Sequence, residues 1–136
     1  MRKFIVLPAL FAVATGCAVF AAPKHGVITF VESSDKGQVR TLKIGLTDTP
    51  AKTCLSGDWR VAKVLEDPSG YTRKPAYELQ GNNLELLLVN GVCDGYDSYI
   101  GKLEGTAFKG EHVAYGLGHN RTLGAVSGTY AGAEAR

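Results

Sequence analysis

The chain has 136 residues, 45% of them hydrophobic, and 15 Lys+Arg against 13 Asp+Glu give a formal net charge of +2. That length holds one ordinary domain and excludes two-domain enzymes, α/β barrels and repeat arrays. Arg2 and Lys3 account for the whole basic excess, so the chain beyond them is formally neutral and carries no electrostatic footprint for nucleic acid or an anionic membrane.

Residues 1–21 differ in kind from the rest. Arg2-Lys3 precedes an uncharged apolar run from Phe4 to Phe20 that only Pro8, Thr15 and Gly16 interrupt. A positive end, an apolar stretch and a small-residue cleavage site are the layout of a secretory signal peptide, here expected to be cut after Ala21. The protein is then exported, periplasmic or secreted. A membrane span is disfavoured, because the interrupted run falls short of the ~20 apolar residues it needs. The alternative route is lipidation: Ala14-Thr15-Gly16-Cys17 resembles a bacterial lipoprotein cleavage box and would make Cys17 the acylated first residue of an outer-membrane lipoprotein. Ala14 stands where such boxes usually carry Leu, and the residues after Cys17 stay apolar through Ala22, so plain secretion is favoured.

The chain from Ala22 to Tyr130 is expected to form a single β domain, with a disordered tail over 131–136. Its apolar residues follow period two in short runs separated by turn residues, the pattern of antiparallel strands. Val27-Ile28-Thr29-Phe30-Val31 ends at the turn cluster Ser33 to Gly37. The next run places Arg40, Leu42, Ile44 and Leu46 on one face, completing a hairpin. A strand around Trp59 to Leu65 sets Trp59 and Val61 opposite Arg60 and Ala62. Glu66 to Pro75, with Pro68, Gly70 and Pro75, is the longest loop.

Tyr77 and Leu79 lead to a turn at Gly81-Asn82-Asn83. The run Leu84 to Val89, broken only by Glu85, predicts a central strand covered on both sides. Asn90-Gly91 and Asp94-Gly95 both carry hairpin chemistry, one expected as the tip and the other as a bulge. A strand from Tyr99 to Ala107 alternates bulky residues with Gly101 and Gly105, which favours tight coiling. Turns at Lys109-Gly110 and near His119-Asn120 separate the last strands. The sum is seven or eight short antiparallel strands, with a closed or nearly closed barrel preferred over a sandwich because closure leaves no exposed edge.

Either processing route leaves Cys54 and Cys93. In an oxidising compartment two cysteines in a small domain are expected to form a disulfide, and their spacing is not the CxxC of redox or metal pairs.

The segment Gly116 to Gly124 sets His119, Asn120 and Arg121 together at a strand connection. Polar side chains on a loop held by a rigid scaffold are a common way to meet a protein partner, and these three are the candidate partner-binding residues. His25, His112 and His119 lack the spacings that set two metal ligands side by side, so no metal site is predicted. Asp94 and Asp97 lack the ligand series of a calcium loop, and a carboxylate pair for glycoside hydrolysis needs a sugar cleft that short-turn β structure seldom provides. Nucleophile elbow, P-loop and dinucleotide fingerprint are all missing. Gly57-Asp58-Trp59 resembles the Gly-x-Trp of the first lipocalin strand over these three residues only, and it follows a complete hairpin instead of opening the fold.

The expectation is therefore a non-enzymatic exported β-barrel binding module, without cofactor, acting on a protein partner, with bacterial periplasmic or surface inhibitors of cell-wall hydrolases as the reference class. The alternative is a lipocalin-like carrier of a small apolar ligand inside the barrel.

Overall fold

The computed structural model describes residues 25–132. The expected signal peptide, Cys17 and residues 133–136 lie outside the described residues. Eight strands follow in chain order: β1 (Gly26–Ser34), β2 (Val39–Pro50), β3 (Arg60–Glu66), β4 (Ala76–Gln80), β5 (Asn83–Leu87), β6 (Tyr96–Glu104), β7 (Ala107–Gly116) and β8 (His119–Gly132). Each strand pairs antiparallel with its neighbours in sequence. β8 closes on β1 from Gly26↔Gly132 to Ser34↔Gly124, making a closed barrel. Among the described residues there is no helix.

Period two decides what enters the barrel. Ile28 and Phe30 of β1, Leu42, Ile44 and Leu46 of β2, and Leu84 and Leu86 of β5 point inward, where Tyr99, Leu103, Phe108 and Val126 meet them in one buried cluster. Phe30 is its hub: its ring centroid lies 5.4 Å from that of Tyr99 and 5.1 Å from that of Phe108, the latter edge to face. Each such side chain contributes roughly 1.5–3 kcal/mol by leaving water. The glycines of β6 and β7 let this wall curl. Gly101 and Gly110 face one another across the ladder, and a Cβ on Gly101 would stand 2.2 Å from the Lys109 carbonyl oxygen.

The apolar run in β5 is covered on both sides as expected. Leu84, Leu86 and Leu88 belong to the barrel interior, while Leu87 points outward into a second cluster with Trp59 and Ala76, flanked by Ala51, Leu55 and Tyr96. The covering is the segment 51–59, which runs outside the barrel as a strap. Cys54 and Cys93 meet at disulfide distance, Cα to Cα 5.5 Å, and tie the strap to the β5–β6 connection. Asn90 donates its side-chain amide to the Lys52 carbonyl, and the Asp58 amide donates to Glu78. Trp59 thus anchors the exterior layer, and Ala62 fills the interior position of β3 opposite Leu46.

Four expectations are corrected. Lys109-Gly110 lies inside β7, and the β6–β7 turn is Gly105-Thr106, with Gly105 at φ 61°. His119 and Asn120 open β8, and the turn before them is Leu117-Gly118. Neither Asn90-Gly91 nor Asp94-Gly95 is a tight hairpin tip. The connection containing both pairs with another segment instead: Arg73 donates its amide to the Leu88 carbonyl and accepts from the Asn90 amide. The last strand also continues past Tyr130, because Val27↔Ala131 and Gly26↔Gly132 pair with β1, so Ala131 and Gly132 belong to the barrel wall and not to a disordered tail.

Candidate functional site at the barrel mouth

Toward one end of the barrel the inward rows of β1 and β2 change from apolar to charged, at Glu32 and Arg40, which are directly opposite each other. On the facing wall Tyr99 opposes His112, and Asp97 lies two residues before Tyr99 on the same face of β6. The side chains meet. Arg40 Nη2 lies 2.8 Å from Glu32 Oε2, and the guanidinium also donates to the Tyr99 hydroxyl, at 2.9 Å from Nη2. That hydroxyl donates to Glu32 Oε2 at 2.8 Å. His112 Nδ1 is 2.6 Å from Glu32 Oε1, and its Nε2 contacts Asp97 Oδ1. Tyr71, from the connection between β3 and β4, donates its hydroxyl to Asp97 Oδ2 and lays its ring over Arg40, 4.9 Å from Cζ to centroid.

Burial without partners would neutralise these groups, and the network reverses that tendency. Burial pushes the Glu32 carboxyl up, but hydrogen bonds from His112 and Tyr99 and the His112 and Arg40 charges outweigh it and hold it below the ordinary value. Asp97 is held low against its own burial by His112, Tyr71 and Arg40. Burial pushes the His112 imidazole down, yet the bonds to Asp97 and Glu32 and their charges raise it overall. Burial and the Asp97 carboxylate push the Tyr71 phenol up to about 12.

Outside this cluster lies an open groove of about 300 Å³, walled by Tyr71, Tyr96 and Tyr115, with Asp97, Val92 and His119 along it. Tyr96 and Tyr115 are cross-strand partners with rings 5.2 Å apart, and Tyr96 also touches the strap cluster. The Leu117-Gly118 turn projects beside the groove. Leu117 is 80% exposed and held at φ 20°.

The structure places His119, Asn120 and Arg121 on the first three positions of β8, all exposed. Only His119 reaches the groove, and strand alternation sends Asn120 to the opposite face from His119 and Arg121. Asp97 and His112 converge, whereas His25 pairs separately with Asp48 at 3.0 Å. Glu32 and Asp97 approach different nitrogens of His112, so the three do not focus on one point. Among the described residues no group of three His, Cys, Asp or Glu is placed to hold a metal ion.

Sequence reading missed Glu32, Arg40 and Tyr71 as site residues. A signal for two of them was present: a carboxylate two positions beyond inward Phe30, and an arginine two before inward Leu42, occupy core-facing positions that alternation reserves for apolar residues. Comparisons with protein-family profiles, curated proteins and solved structures found no match for this chain.

Proposed function

We propose that this protein is an exported, non-enzymatic binding module that meets a protein partner at the barrel mouth, of the kind that inhibits cell-wall hydrolases. The observation that carries the reading is the exposed Leu117, held at positive φ on a projecting turn beside a groove with three tyrosine walls. Tyrosine is among the residues enriched in binding hot spots, and an exposed apolar side chain beside that aromatic surface gives a partner further apolar area to bury. His119 and Arg121 add donors at the same rim, suited to the paired carboxylates with which glycoside hydrolases act. The interior supports binding on the outside over carriage within, because Phe30, Tyr99 and Phe108 fill the barrel ring against ring. Non-enzymatic action is supported by His112, whose two nitrogens are both engaged by carboxylates.

The test is affinity capture of partners from native periplasm, comparing wild type with Leu117→Asp and with the triple substitution of His119, Asn120 and Arg121 by alanine. All four side chains are exposed, so melting temperature should hold. Loss of a hot spot costs about 2 kcal/mol or more, a weakening of roughly 30-fold. Undiminished capture by both variants would overturn the assignment of this rim.

A further inference from the structure

The charged cluster has a property that the binding reading does not use. Every charged or hydroxyl group in it is satisfied by another member, so it asks for no ligand. What it cannot tolerate is the loss of one proton. Glu32 Oε1 and Asp97 Oδ1 face the two ring nitrogens of the same histidine. An ionised carboxylate only accepts hydrogen bonds, and a neutral imidazole has one N–H and one lone pair. A neutral His112 therefore satisfies one carboxylate and turns a lone pair on the other. The imidazolium satisfies both.

The groups around His112 come from three other strands and the connection between β3 and β4. Glu32 comes from β1, and Arg40 from β2 reaches it through Glu32 and Tyr99. Asp97 and Tyr99 come from β6, with the Tyr99 ring edge-on at 5.2 Å. Tyr71 joins through Asp97, and His119 borders Asp97 from the groove side. β8 stands opposite with Gly124, which has no side chain. With His112 protonated, two cations balance two anions; without that proton, Arg40 alone faces both carboxylates.

We propose that His112 is the bolt of a pH-sensitive latch: its imidazolium clamps Glu32 to Asp97, and through Asp97 it pins Tyr71 across the mouth, so that loss of the proton frees Tyr71 and the groove wall it forms. The Tyr71 side chain suits that role, being 41% exposed and held by one hydroxyl contact and a stacked guanidinium, while its backbone amide donates separately to Ser69 Oγ. The sign follows from the folded-state shifts. The raised His112 contributes fully below its ordinary 6.5 and its contribution is lost as pH rises through the higher folded value. The lowered Glu32 and Asp97 contribute above their ordinary 4.5 and 3.8 and lose their part as pH falls through the lower folded values. The latch is closed between these limits and opens on the alkaline side.

The test is an NMR pH titration of the full chain, following the His112 ring, the Tyr71 ring and amide exchange over residues 67–75. His112 should titrate above 6.5, with the Tyr71 ring signals moving at the same midpoint. Exchange in the segment, corrected for its intrinsic pH dependence, should quicken by up to about tenfold for each unit by which the folded value exceeds the unfolded one. Tyr71→Phe removes the hydroxyl at a half-exposed site and should give the fast exchange at every pH while His112 still titrates. A His112 midpoint at or below 6.5, or a Tyr71 ring that stays fixed while His112 titrates, would overturn the latch. No partner enters these measurements, so they stand or fall apart from the binding reading.

Discussion

Replacing Cys54 and Cys93 by serine removes the covalent tie between the strap and the β5–β6 connection, and the size of the effect follows from the spacing. The two cysteines are 39 residues apart. Closing a loop of that size restricts the unfolded chain by about 4 kcal/mol on the chain-entropy account, a large share of the roughly 5–15 kcal/mol typical of a domain. At about 4–8 °C per kcal/mol for a small domain, the melting temperature should fall by roughly 15–30 °C. The loss has a local side as well. Once the tie is cut, the strap is held by Trp59 against Ala76 and Leu87, by the Asp58 amide on Glu78 and by Asn90 on the Lys52 carbonyl. The single tryptophan is the strap's own anchor on the barrel, so its fluorescence reports that layer while far-UV circular dichroism reports the barrel. Urea unfolding of the oxidised protein should give coincident transitions by both probes. The variant should unfold at lower urea, with the fluorescence change leading. A stability change under about 1 kcal/mol with both probes still coincident would refute the role assigned to the disulfide.

Two further substitutions test the interior. Gly101→Ala drives a Cβ to within 2.2 Å of the Lys109 carbonyl and 2.5 Å of the Gly110 Cα; since backbone cannot yield as a flexible side chain does, a loss of about 1–3 kcal/mol is expected by denaturant melting, while Gly95→Ala, with nothing within 4 Å, should be nearly silent. Glu32→Ala leaves Arg40 and His112 without the carboxylate they share and should cost about 3–5 kcal/mol at neutral pH. Its NMR signature is a His112 midpoint lower than in wild type, because one of the two anions that raise it is gone.

Period two along Val27–Val31 and Arg40–Leu46, together with the turn clusters between runs, made the antiparallel meander legible, and the β5 run announced its double coverage. These are local properties: alternation is a consequence of strand geometry, and two cysteines in one small domain have few alternatives to each other. Turn positions were less legible. Gly110 looks like a turn residue but serves close backbone contact inside β7, and the turn falls to Gly105. Asn90-Gly91 has hairpin chemistry, yet the partner of its neighbour Val89 is Arg73, distant in sequence.

The candidate site was legible only at its rim. His119 could be singled out because it sits in a glycine-flanked polar segment, but Glu32, Arg40, Tyr71, Asp97 and His112 come from four strands and a connection, and nothing local marks them as neighbours. Sequence by itself determined the strand class, the neutrality of the domain and the identity of the cysteine pair, since each depends on composition or on residues a few positions apart. Closure of β8 on β1, the strap over Leu87 and the meeting of three charges around one imidazole were decided by the tertiary structure, because the register that brings Glu32 to His112, 80 residues away, exists only once the barrel is closed.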